Sequence, residues 1–186
     1  MGVLGEGLKA HWSAQGRRFR PGAPEESLAA FEVRYGVRLP PDLRDYFSTV
    51  DGMDAFGESN PFGLDKDLFR FWPLNEVERA TESYSPDHFL KDQASFFLFA
   101  DHSIALPSFA IRLAAEAEGD NYVLAIYSDG GNYEATKVAD SFTNFVGKYL
   151  ADETSRSDLS IGWPNSTEES ASRWQAAHLA PKFRPT

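Results

Sequence analysis

Phe31-Glu32-Val33-Arg34-Tyr35-Gly36-Val37-Arg38-Leu39-Pro40-Pro41-Asp42-Leu43-Arg44-Asp45-Tyr46-Phe47 is the stretch whose reading decides the fold. Just before it, Glu25 and Glu26 put negative charge into a first helical turn, where the helix dipole favours it. Leu28, Phe31 and Tyr35 then lie on one helical face, and Gly36 is a natural C-terminal cap. Leu39-Pro40-Pro41 follows at once. Proline is tolerated in a helix's first turn because those N–H groups lack intrahelical partners anyway. Leu43, Tyr46, Phe47 and Val50 recur at i, i+3, i+4 and i+7, so a second helix packs on the first through a tight corner and ends at Asp51-Gly52.

Upstream, Leu4, Leu8 and Trp12 predict a short amphipathic helix over Leu4–Ala14, and Arg17, Arg18 and Arg20 form a basic connector running to Pro24. Downstream, residues 53–66 read as a loop rich in Gly, Asn and Pro. Strands are expected at Leu68–Trp72, Ser95–Ala100, Ile104–Leu113, Tyr122–Ser128 and Tyr133–Val138. The last two flank Asp129-Gly130-Gly131-Asn132, a hairpin turn whose glycines allow positive φ. A short helix is expected after Asn75, with Asn75 and Glu78 as a capping box. Phe142, Phe145, Val146, Tyr149 and Leu150 give a closing helix over Ser141–Ala151, and a further helix is expected over Glu168–Leu179. Helices, then a meandering sheet, then a helix make an α+β fold: a mainly antiparallel twisted sheet with helices packed against it, an N-terminal helix pair and a closing C-terminal helix.

Phe31-Glu32, Tyr35-Gly36, Leu39-Pro40, Asp42-Leu43, Tyr46-Phe47 and Asp51-Gly52, in this order and spacing, resemble the N-terminal pattern of the SUKH superfamily, in its Smi/Knr branch named after a yeast cell-wall-synthesis regulator. Phe69-Arg70-Phe71-Trp72-Pro73-Leu74 with Glu76-Val77 is similar to that family's first strand and short helix, and Ala139-Asp140-Ser141-Phe142 with Phe145-Val146 to its final helix. The resemblance covers roughly residues 23–151. Residues 1–22 form an N-terminal helix and connector outside it, and residues 152–186 a C-terminal extension.

The chemistry is bounded by composition. With no cysteine, disulfides, thiolate metal sites and a Cys nucleophile are excluded together. Met1–Ala10 lacks the apolar core of a signal peptide, and no run approaches the roughly 20 apolar residues of a membrane span, so a cytoplasmic protein is expected. His11, His88, His102 and His178 are scattered without a ligand partner at helix-face spacing, which leaves only a metal site assembled from distant residues. Asp101-His102-Ser103 has the residue types of a hydrolase triad, but consecutive residues in an extended segment point to opposite sides. Asp129-Gly130-Gly131-Asn132 lacks the Lys-Ser/Thr and helix of a phosphate cradle. Asp65-Lys66-Asp67 lacks the further oxygen ligands of a calcium loop and reads as a solvated turn. No cofactor is expected.

The charge of −10 is uneven: residues 1–50 carry seven basic and six acidic side chains, and the remainder eleven basic and twenty-two acidic. Such a surface repels nucleic-acid phosphates and anionic lipids and favours cationic partners. The resemblance implies a non-enzymatic protein-binding domain, as in bacterial immunity proteins that neutralise toxins by contact. A basic toxin domain is therefore the expected partner, with no nucleic acid and no membrane involved. An intracellular regulatory scaffold is the alternative, and an enzyme with an unrecognised carboxylate site a further one. Loops and turns expose binding groups, so the contact candidates are Asp65 and Asp67, then Glu116, Glu118 and Asp120, then Asp129 and Glu134.

Overall fold

The computed structural model describes residues 3–54, 63–84, 92–103, 107–116, 119–129 and 132–151. The expected helix at 168–179 and the 104–106 part of an expected strand lie outside them. The described residues form five α-helices: α1 (Val3–Ala14), α2 (Glu25–Tyr35), α3 (Pro41–Thr49), α4 (Ala80–Ser83) and α5 (Phe142–Leu150). A two-stranded sheet pairs β1 (Phe19–Pro21) with β2 (Val50–Met53). A six-stranded sheet runs β3 (Phe69–Phe71), β5 (Phe96–His102), β6 (Ser108–Arg112), β7 (Val123–Asp129) and β8 (Asn132–Ala139), and β4 (Glu78–Arg79) shares an edge of β5 with β3. Every strand pairing is antiparallel, so the α+β expectation stands.

Aromatic rings join the two layers. Phe31 and Tyr35 of α2 meet Phe97 of β5 at 5.7 and 5.1 Å between ring centroids. Phe145 of α5 meets Phe99 and Phe109 at 5.2 and 4.9 Å, and Trp12 of α1 reaches Phe71 at 5.4 Å. Leu8 and Trp12 are fully buried in this main core. The opposite face of the sheet holds a second, smaller core of Ala80, Phe96, Leu98, Ala110, Leu124 and Ile126, flanked by Trp72, Tyr84 and Tyr122.

Among the described residues, the helices expected from periodicity at the N-terminus, at the corner and at the close of the fold form where expected. Ser141 caps α5, its hydroxyl oxygen accepting the Asn144 N–H at 3.1 Å. Asp42 reaches across from α3 and accepts both the Thr143 N–H and hydroxyl at 2.9 Å, so the corner's own carboxylate holds the start of the closing helix. Three short elements differ from expectation. The basic connector contributes β1, and Asp51-Gly52 lies inside β2 rather than simply ending a helix. After Asn75 the chain turns, forms β4, and only then enters α4; the Asn75 side chain accepts from Arg20 at 2.8 Å instead of capping. Strands of two to four residues are too short to show a period, and each is fixed by a distant partner.

Gly52 has φ +70°, and a Cβ there would lie 2.4 Å from the Pro73 nitrogen and 2.6 Å from the Trp72 carbonyl carbon. Only glycine meets both the left-handed conformation and the close approach. Gly52→Ala is expected to cost about 3 kcal/mol or more. Phe47, 1% exposed, should cost about 3–5 kcal/mol as Phe47→Ala. Urea unfolding of both variants checks this, and midpoints matching the wild type would mean that neither position is tightly packed.

Candidate partner-binding groove and acidic turns

Three buried carboxylates set the scaffold. Glu32, 6% exposed, accepts the Leu39 N–H at 2.8 Å and pairs with Arg44 at 2.7 Å and Arg38 at 3.3 Å. Burial alone pushes its pKa up, but the Leu39 N–H and the Arg44 and Arg38 charges outweigh that and hold it below the ordinary value. Asp51 accepts the Leu74 N–H at 2.6 Å and lies 4.0 Å from the Arg20 guanidinium; burial raises its pKa against both. Asp65 takes the Asp67 and Phe69 N–H groups at 2.8 Å on one oxygen and the Tyr149 hydroxyl on the other. Trp12 Nε1 donates to that same hydroxyl at 2.8 Å, tying α1 to α5.

Asp51 and Gly52 fix the turn that follows β3, and a groove of 410 Å³ opens beside it. Tyr35, Trp72 and Val77 give it an apolar lining, and Arg34, Arg70, Glu76, Glu78 and Glu82 line it with charge. Arg70 pairs with Glu76, Arg34 stacks over the Tyr35 ring at 4.8 Å, and Glu78 accepts from Ser83. Burial, with the negative charge of Glu82 and Glu78, holds the Tyr35 phenol above its usual value. Sequence reading did not pick out this groove, because it joins α2 to residues about forty positions later. The i, i+4 spacing of Glu78 and Glu82 is its one local signal.

The expected contact residues are dispersed. Asp65 is 3% exposed and corrects the expectation of a solvated turn: its carboxylate is consumed in folding the turn around it. Asp67 is half-buried beside it. Glu116 and Asp120 are exposed in the β6–β7 connection, and Glu134 is exposed on β8. Asp129 ends β7, and Glu118 lies outside the described residues. The β6–β7 connection and the β7–β8 hairpin sit at opposite ends of β7, about 20 Å apart for seven residues, so these acids border the sheet rather than forming one patch.

Two catalytic or metal constellations can be judged on geometry. Asp101 accepts from Trp72 on one face of β5, whereas the His102 ring meets Phe69 at 4.8 Å between centroids towards the other, so the two side chains take opposite faces of the strand. His11, Asp65 and Asp67 do bring ligand atoms from distant segments within 4.8 Å of one another. However, Gln15 uses its carbonyl for the Lys66 N–H at 3.1 Å and so donates to His11 Nε2 at 2.7 Å. With Asp65 already accepting three hydrogens, the cluster works as a hydrogen-bond network.

The fold defines an α+β domain of helices packed on an antiparallel sheet. The chain belongs to the SMI1 / KNR4 family (SUKH-1), whose model matches residues 22–148. No curated protein sequence matches it. Among the described residues no helix is long and apolar enough to cross a membrane.

Glu32→Gln separates charge from shape at the corner. A carboxyl with a depressed folded pKa contributes stability that is present above its unfolded value and lost as pH falls through the folded value. The variant should be less stable than wild type by about 2 kcal/mol at pH 7, and the gap should close below about pH 4. A pH-independent gap in paired thermal melts would show that the charge contributes nothing.

Proposed function

We propose that this chain is a non-enzymatic protein-binding domain of the immunity kind, which neutralises a basic toxin domain by direct contact. The distribution of charge carries the reading. Among the described residues after Val50, which build the large sheet, α4 and α5, fourteen are acidic and six basic, while residues 1–50, which build α1–α3, are nearly balanced. Negative charge in the sheet layer steers a cationic partner towards it and raises the encounter rate. The contact set is Asp67, Glu116, Glu118, Asp120, Asp129 and Glu134, with Asp65 supporting its turn from inside. Family membership supports a protein partner in preference to a small-molecule substrate.

The tagged chain, used to capture its partner from the cells that produce it, provides the test. One small basic protein is expected, with an association rate that falls at least tenfold between low and high salt. Joint replacement of Glu116, Asp120 and Glu134 by Gln or Asn should slow association and flatten that dependence. A rate indifferent to salt contradicts the electrostatic mechanism, and several near-neutral partners point to the regulatory scaffold instead.

A further inference from the structure

Leu68, just before β3, is unusual in two respects at once. Its backbone is left-handed, with φ +65°, and it is 47% exposed. An exposed leucine is ordinary by itself. A left-handed one is not, because its β-carbon crowds the backbone there and glycine avoids that cost. At four other positions among the described residues the chain meets a positive φ with glycine. Leu68 belongs to neither hydrophobic core. Val3 and Val33, the other large exposed hydrophobic residues among those described, lie in α1 and α2 with ordinary helical backbone.

The turn that carries Leu68 is held at every backbone donor from Asp65 to Phe69. Asp65 N–H donates to the Phe69 carbonyl at 2.8 Å, and Leu68 N–H to the Asp65 carbonyl at 3.2 Å. Lys66 N–H donates to Gln15 Oε1 at 3.1 Å, while the Asp67 and Phe69 N–H groups share Asp65 Oδ1 at 2.8 Å. The Leu68 carbonyl in turn accepts the Ser103 N–H at 2.9 Å. Ser103 is itself left-handed, with φ +51°, so the two non-glycine residues of positive φ among the described residues bond directly to each other. Strain of this kind persists where the surroundings over-determine it, and it gathers at sites that bind or act.

We infer that Leu68 is the apolar anchor of the partner contact, presented by this rigid turn to a hydrophobic socket on the protein partner, with Asp67 at the socket's cationic rim. The inference rests on the reading that the acidic turns receive a cationic protein. Because the turn is already ordered, seating the side chain costs little conformational entropy. Charge acts at long range and sets the association rate, whereas an apolar side chain acts only after contact and sets the dissociation rate. Leucine stands here in place of a residue that suits the turn better, which is the signature of a position kept for binding.

Leu68→Asn and Leu68→Gly suit the left-handed backbone and remove the apolar side chain. Free, both variants should melt at or above the wild-type midpoint. Against the basic protein captured by the tagged chain, both should dissociate roughly tenfold faster or more, with the association rate and its salt dependence unchanged. Leu68→Met, which keeps an apolar side chain, should dissociate like the wild type, and so should Val33→Ala on the outer face of α2. A midpoint lowered by more than about 4 °C would make Leu68 a structural residue and overturn the inference. So would unchanged dissociation of both Leu68 variants; an association rate that still falls with salt then leaves the electrostatic reading standing. Association indifferent to salt, with dissociation that still follows Leu68, keeps the anchor and removes the electrostatic mechanism. A chain that captures no protein overturns both.

Discussion

Gly52 approaches the Trp72–Pro73 peptide so closely that a Cβ would lie 2.4 Å from nitrogen, and Asp51 beside it accepts the Leu74 N–H at 2.6 Å. Through this contact the chain leaving the helical corner is seated on the sheet. It sets where β3 ends, and so where Trp72, Glu76 and Glu78 stand along the groove. Upstream, β2 pairs with β1 and carries Arg20 to Asn75 and Asp51, so the same turn is held from two directions. The Asp-Gly pair therefore acts as a joint between the layers, which explains why it follows the helical corner so directly in sequence.

Buried carboxylates recur as the means of fixing chain corners. Glu32 closes the α2–α3 corner, Asp51 the turn after β3, and Asp65 the turn before it. Their electrostatics differ in sign. Two guanidinium groups compensate Glu32, whose pKa is lowered, whereas burial raises Asp51 and Asp65. On acidification from neutral pH, protonation of Asp51 and Asp65 adds stability as pH falls through their raised folded values, and protonation of Glu32 removes it lower down. Each carboxylate also accepts a backbone N–H that its removal would leave without that partner, so these positions tolerate little change.

Helical periodicity made α1, α2, α3 and α5 legible, and Asp129-Gly130-Gly131-Asn132 marked the β7–β8 hairpin. The Phe31-Glu32 and Leu39-Pro40-x-Asp42 elements revealed the family, but not that Glu32 would bond Leu39 or that Asp42 would hold Thr143, 101 residues away. Asp65 looked like a surface acid because Tyr149, which buries it, lies 84 residues further on. Glu116, Asp120 and Glu134 were legible as exposed acids because turns and edge strands leave few alternatives. The groove was not, since its walls come from α2 and from residues beyond β3, and no local pattern announces such a meeting.

The central claim is that the acidic sheet layer, rather than the helix layer, receives the partner. Hydrogen–deuterium exchange of the chain with its captured partner bound tests this most directly, because it maps the contact without altering any charge. The account predicts added protection in the turn at 63–69 and around Glu116 and Asp120, with the outer faces of α1 and α2 exchanging as in the free protein. Protection confined to those helix faces would contradict it.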